Sequence, residues 1–264
     1  MTLGTVNIVK NRIRKVIKEG GAALGAGALT FNPNVIEVLG NAGLDFVWLD
    51  LEHTGHCPFD SVSMENLIRA ADNVDIATLV RVPTDDDHMI GKLLDAGAQA
   101  ILVPGLSSVE EVRHAVSAAK YSLGGRGTPL SRATGFRAPD QAFAEQADQD
   151  TMIGIMIENK ALIDNLDKVL MINGLDFGFI GPSDLSISLG VPFQTSHPKV
   201  KEYISKALEL CKAKGIPVGY PVSDLESARK AIREGCKLLR IGVDLQVLHR
   251  EFSRLIQQVK QPPA

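Results

Sequence analysis

Eight short apolar runs, set apart by longer stretches of helical periodicity, constrain this 264-residue chain more than any other feature of it. The runs are Ala22–Leu29, Phe46–Glu52, Ala77–Val82, Ala100–Pro104, Ile153–Glu158, Phe177–Ile180, Pro217–Tyr220 and Leu238–Gly242. Each has the length of a strand and little apolar–polar alternation, which is how a parallel strand buried on both faces reads. Between them, Ser107–Lys120, Pro198–Lys214 and Asp224–Glu234 open with a capping residue or proline and close near glycine, as crossover helices do. Eight such units predict an α/β fold, one (β/α)₈ TIM barrel occupying residues 1–264 as a single domain. Val6–Lys18 predicts a helix covering the bottom of the barrel. Leu245–Lys260, with its stripe of Leu245, Leu248, Phe252 and Leu255, predicts a C-terminal helix that packs on its own barrel or is exchanged with a neighbouring subunit.

A doubly wound sheet would carry a glycine-rich turn directly after the first strand. Here Gly20, Gly21, Gly25 and Gly27 precede that strand or lie within it, as small residues in a tight barrel interior do. Hydrophobic residues make up 45% and charged residues 22%, enough for a large core and wrong for disorder. A net charge of −3 with both signs interspersed offers no basic field to a nucleic acid, so small molecules are the expected partners. No basic segment followed by an apolar run opens the chain, and no apolar stretch is long enough to span a bilayer, so neither secretion nor membrane insertion is expected and the expected location is cytoplasmic. Cys57, Cys211 and Cys236 are widely spaced and read as reduced thiols rather than zinc ligands.

Catalytic groups of such a barrel project from the C-terminal ends of the strands, so the residues that close the apolar runs are the informative ones. Strand two closes in Asp50-Leu51-Glu52-His53, strand three in Arg81, strand five in Glu158-Asn159, and strand six leads into Gly181-Pro182-Ser183-Asp184. Glu158 and Asp184, on neighbouring strands, are placed to share one hard divalent ion, magnesium or manganese, with positions left open for water and substrate. The alternatives are a lysine partner for Glu158 and a helix-capping role for Asp184. His53 is the candidate general base, oriented by an acid such as Asp50. His56 reads as a loop residue. A guanidinium at Arg81 must meet a carboxylate or an enolate oxygen. The long stretch Tyr121–Gln149, with Gly124-Gly125-Arg126-Gly127, Arg132 and Arg137, reads either as a lid presenting positive charge or as a solvated or subunit-contact loop. Lys160 is the residue a Schiff-base aldolase would need, and its position suits a helix start better.

In this order, Asp50-Leu51-Glu52-His53, Val80-Arg81-Val82-Pro83, Leu94-Asp95-Ala96-Gly97-Ala98-Gln99, Val103-Pro104, Ile157-Glu158 and Ile180-Gly181-Pro182-Ser183-Asp184-Leu185-Ser186 resemble the HpcH/HpaI aldolase family, the class II pyruvate aldolases. The resemblance implies a barrel assembled as a homo-oligomer, commonly a hexamer built as a trimer of dimers. It implies reversible cleavage of a 4-hydroxy-2-oxo acid to pyruvate and an aldehyde through a metal-bound enolate. Carried onto this chain, Glu158 and Asp184 would bind magnesium, manganese or cobalt, His53 would be the base, Arg81 would stabilise the enolate, and Asp95 would raise the basicity of His53. Gly181, Pro182, Ser183 and Met156 would line the pyruvate pocket. Met156 stands where many relatives carry glutamine, Leu51 where they carry glycine, Thr54-Gly55-His56 where they carry Ala-Pro, and Tyr121-Ser122-Leu123 lacks their double proline. The alternatives are a carbon–carbon lyase acting on an acyl-CoA ester, through the same enolate chemistry, and a non-catalytic protein that binds a 2-oxo acid.

Overall fold

A computed structural model of the chain describes residues 11–56 and 60–260. The elements run α1 (Arg12–Lys18), β1 (Ala23–Gly27), α2 (Pro33–Asn41), β2 (Phe46–Asp50), α3 (Ser61–Asn73), β3 (Ala77–Arg81), α4 (Asp87–Ala96), β4 (Ala100–Val103), α5 (Val109–Ala119), α6 (Gln141–Asp150) and β5 (Met152–Ile157). They continue α7 (Lys160–Asp164), α8 (Leu166–Val169), β6 (Phe177–Ile180), α9 (Pro182–Ser188), α10 (Pro198–Lys214), β7 (Val218–Pro221), α11 (Leu225–Arg233), β8 (Leu238–Val243) and α12 (Asp244–Lys260). The strands form one closed parallel barrel in chain order, β8 pairing back onto β1. All eight expected strands are present, with ends moved by at most two residues; β2 and β5 stop before Glu52 and Glu158, and Asp184 lies in α9, after β6.

Alternate residues of each strand face the barrel axis. Phe46, Trp48, Leu79, Leu102, Met152, Met156, Phe177, Phe179 and Leu238 fill the interior. The rings fit because glycines stand beside them on neighbouring strands: a Cβ at Gly25 would overlap Phe46, one at Gly154 would overlap Phe177, and one at Gly219 would overlap Phe179. The other strand face packs a second, larger apolar layer against the helices.

The N-terminal end of the barrel is sealed by polar bonds. Asn11 donates its amide to Gln99 O (2.8 Å) and Asp150 O (3.1 Å), Arg14 binds Asp176 (2.6 Å), and the buried Lys120 binds Asp176 (2.9 Å) and Thr151 O (2.7 Å). The helix expected over Val6–Lys18 is therefore present from Arg12 and covers the bottom, its earlier part lying outside the described residues, as does Cys57. Cys211 and Cys236 are free and buried, each thiol pushed up to about 12 chiefly by burial.

At two places the structure removes one of two open alternatives. The stretch 121–149 is not a lid over the C-terminal ends of the strands. By Ala119, α5 has already carried the chain back to the bottom, and the stretch begins there. It packs on the C-terminal ends of α3 and α4: Arg132 pairs with Asp72 and donates to Ala96 O, and Arg126 turns inward over the Tyr121 ring. Its second half is a helix, α6, capped by Asp140. The C-terminal helix does not pack its stripe on its own barrel either. Asp244 binds the N–H groups of Leu29 and Thr30 and the Thr30 hydroxyl, whereas Leu245, Leu248, Phe252 and Leu255 are exposed. Among the described residues no helix is long and apolar enough to cross a membrane.

Candidate active site

Strand register brings the first pair together. Asp50 lies opposite Arg81 in the β2–β3 ladder, both side chains pointing into the barrel mouth above Trp48. Arg81 Nε donates to Asp50 Oδ1 at 3.0 Å and Nη2 to Oδ2 at 2.5 Å, a two-point pairing that suits a fixed guanidinium fork. Nη1 lies 2.7 Å from Glu52 Oε2. Arg81 and Asp50 are nearly sealed from water, their side chains 8% and 7% exposed. Burial alone would raise the Asp50 pKa, but the bonds and charge of Arg81, with the N–H groups of Glu52 and His53, outweigh it and hold the carboxyl below its ordinary value. For Glu52 burial wins, helped by the negative charges of Asp50 and Asp184, and its pKa is raised despite Arg81 and His53.

His53 stands at the open edge of this group. Asp50 accepts from its backbone N–H (3.4 Å), so Asp50 orients the main chain; the carboxylate beside the ring is that of Glu52, 3.5 Å from Nε2. His56 is a loop residue, as expected, stacked on Phe31 with ring centroids 3.8 Å apart. The pairing of Asp95 with His53 is not made within one chain. Asp95 is the penultimate residue of α4, a helix running from the mouth to the bottom over roughly 15 Å. There it faces Arg126 at 3.8 Å, and burial raises its pKa to about 6 against that cation's pull.

Across the mouth, Ile157 and Ile180 are ladder partners, which sets Glu158 and the loop from Gly181 side by side. Glu158 is buried and accepts from the Gly105 N–H at 2.7 Å. Among the described residues no lysine pairs with it. Asp184 is exposed in the first turn of α9, whose N-terminus has no side-chain cap. Burial, then repulsion by Glu52 and Asp184, push the Glu158 pKa up to about 7, overcoming the Gly105 N–H and Arg81. Four carboxylates, Asp50, Glu52, Glu158 and Asp184, share the mouth with two guanidinium groups, Arg81 and Arg240, an excess of negative charge that a hard dication held by Glu158 and Asp184 would offset. Among the described residues no three His, Cys, Asp or Glu side chains are grouped to hold an ion. Two carboxylates with positions left for water and substrate are a donor set that magnesium accepts. The pocket wall carries Met156 and Gly181, where a Cβ would come within 2.9 Å of the Met156 methyl and 3.0 Å of Glu158 Oε2. Pro182 opens α9, and the Ser183 carbonyl accepts from Ser186 at 2.6 Å. Lys160 opens α7, bound to Asp164 and far from dry, which is not the setting of a Schiff-base lysine.

Sequence reasoning left out two residues of the mouth. Glu52 was visible in its motif, but its grip on Arg81 depends on ladder register. Arg240, inside the apolar run of β8, carried the same signal as Arg81: a guanidinium in an otherwise apolar strand. Its charge lies over the Trp48 ring, 5.0 Å from the centroid.

A model of the family described as HpcH/HpaI aldolase/citrate lyase matches residues 28–250. The chain is 33% identical over 254 residues to a Roseobacter denitrificans protein named hydroxypyruvate/pyruvate aldolase, covering 95% of this chain and 98% of that one. To a protein of Rhizobium etli named pyruvate aldolase it is 32% identical over 243 residues, with 91% and 94% covered. The crystal structure of an HpcH/HpaI aldolase from Desulfitobacterium hafniense superposes with a TM-score of 0.88 at 29% identity, covering 95% of this chain and 97% of that one. Likeness of this extent, carried along the whole barrel rather than by one motif, means that the chain belongs to the HpcH/HpaI aldolase/citrate lyase family.

Proposed function

We propose that the chain is a divalent-metal-dependent aldolase that reversibly cleaves a 4-hydroxy-2-oxo acid to pyruvate and an aldehyde. The observation that carries this reading is the arrangement at the mouth: an arginine clamped by two carboxylates faces a second carboxylate pair whose charge is unbalanced. Glu158 and Asp184 would hold magnesium or manganese, which when bound supplies a Lewis acid for the oxygens of the 2-oxo acid. Each nitrogen of Arg81 already meets a carboxylate oxygen, which fixes the guanidinium, and the N–H donors left on Nη1 and Nη2 would serve an enolate oxygen.

In cleavage, His53 takes the proton of the C4 hydroxyl, the C4–oxygen bond becomes a carbonyl, and the C3–C4 bond breaks. Its electron pair passes to the enolate of pyruvate, which is protonated at C3 to complete the product. Glu52 steadies the positive charge that the imidazole gains. Condensation is the reverse. Assembly as a homo-oligomer, with α12 laid on a second copy, and a cytoplasmic location belong to the same proposal; the exposed stripe of α12 supports the first.

The test is pyruvate release from a panel of 4-hydroxy-2-oxo acids by chelator-stripped protein, with and without added magnesium or manganese. Release is expected only with metal, lost in Glu158→Ala and Asp184→Ala, and slowed roughly 10²- to 10⁴-fold in His53→Ala. Metal-independent release trapped by borohydride would overturn the reading in favour of a lysine.

A further inference from the structure

We infer that Arg240 is a specificity-determining residue that binds an anionic group, a carboxylate or a phosphate, on the aldehyde half of the substrate. The inference rests on the aldolase reading above and adds to it the class of aldehyde.

Two guanidinium groups lie on one indole: Arg81 is 5.6 Å and Arg240 5.0 Å from the Trp48 ring centroid. Their circumstances are opposite. Arg81 is occupied by Asp50 and Glu52 through all three of its nitrogens. Among the described residues, Arg240 makes no ion pair and no side-chain hydrogen bond; its resolved contact is the π face of Trp48. Arg240 is half-buried, and a partly dehydrated guanidinium with a ring as its resolved contact gains when an anion arrives. Burial and the like charge of Arg81 both weaken its hold on its proton, with Asp50 alone acting the other way, so the protein leaves this charge undercompensated.

Place in the barrel says which part of a substrate would meet it. Leu238, two residues earlier in β8, belongs to the interior layer, so Arg240 rises on the same face, one layer higher. The carboxylates that would hold the 2-oxo acid end follow β5 and β6, the strands opposite them are β1 and β2, and β8 stands beside β1. A 4-hydroxy-2-oxo acid anchored beyond β5 and β6 that offers its C4 hydroxyl to His53, beyond β2, crosses the mouth, and the group carried on C4 then lies within reach of β8, next to β1, where Arg240 stands. Arg240 also borders a cavity of about 380 Å³ at the ends of β7 and β8, lined by Tyr220 and Ser223 on one side and by Gln246 and Arg250 of α12 on the other. Arg81, already neutralised, is left to the enolate, while Arg240 reads the far end of the substrate.

The test compares, in the condensation direction with pyruvate, aldehydes matched in size and differing in charge: succinic semialdehyde against butanal, and glyceraldehyde 3-phosphate against glyceraldehyde. The wild-type chain is expected to favour at least one anionic member by roughly tenfold or more in kcat/KM, as a charge-assisted contact allows. In Arg240→Leu that preference is expected to collapse, the anionic aldehyde losing at least tenfold more than its neutral counterpart, while Arg240→Lys keeps part of it. The carboxylate and phosphate pairs separate the two anion sources. No preference in the wild type, or equal losses for both members of a pair, would overturn the inference.

Trp48, the chain's single tryptophan, gives a second readout independent of turnover. Succinate is expected to perturb its fluorescence where succinamide does not, and Arg240→Leu to weaken the succinate response roughly tenfold. An unchanged response in the variant also overturns the proposal. Deuterium exchange into the pyruvate methyl group tests the aldolase reading separately: its absence condemns that reading, and the fluorescence titration still decides Arg240.

Discussion

The trio of the buried Asp50 and Arg81 with the half-buried Glu52 is the most exacting arrangement at the level of single residues. Arg81→Ala leaves two carboxylates without their cation and should cost roughly 3–5 kcal/mol. Asp50→Leu combined with Arg81→Leu removes both charges and should unfold at higher urea than Arg81→Ala alone, because no unpaired charge remains. Glu158 makes a prediction about pH. Its pKa in the fold, about 7, exceeds the ordinary 4.5, so the metal-free folded chain holds this proton more tightly than the unfolded chain does. The resulting stability is complete below pH 4.5 and is lost as pH rises through about 7. A cation between Glu158 and Asp184 displaces that proton, so its stabilising effect runs the other way. The rise in melting temperature on adding manganese should be larger at pH 8 than at pH 6. An equal rise at both would remove Glu158 as a ligand. Asp50, Arg81 and Glu158 were legible in the sequence because each is a charged residue closing an apolar run. The clamp by Glu52 was not, because it depends on which residue of β2 lies opposite Arg81.

Among the elements, the strands were readable because each is buried on both faces and so is almost uninterruptedly apolar. The connection between α5 and β5 misled for a topological reason. Its arginines suggest anion binding wherever they sit, and only the handedness and direction of the preceding crossover put them at the bottom, where Arg132 meets Asp72. The capping residue Asp140 and the buried Phe143 and Ala147 were the available sign of α6. Strand β5 carries a sharp packing test. Gly154→Ala forces a methyl into the Phe177 ring on β6 and should lower stability by about 1–3 kcal/mol, read from the urea midpoint. At the seam of the barrel, Asp244→Ala strands the N–H groups of Leu29 and Thr30 and should cost about 1–3 kcal/mol by the same measurement.

On the scale of the whole molecule, α12 is the element that a single chain leaves unfinished. Its stripe through Leu248, Phe252 and Leu255 is exposed along a helix whose first residue is firmly tied to the barrel. Phe252→Asp should therefore give a species of lower mass than the wild type in sedimentation velocity; an unchanged mass would mean that this face meets solvent. The interleaving of glycines and rings inside the barrel has a historical consequence. Gly25 and Phe46, Gly154 and Phe177, and Gly219 and Phe179 are pairs in which neither member can be exchanged freely while the other stays, since one supplies the space that the other fills. Descendants of such a chain are barred from most single steps there, and double steps are rare. Diversity in what these barrels accept must accumulate instead at the rim, where a position such as Arg240 can change alone.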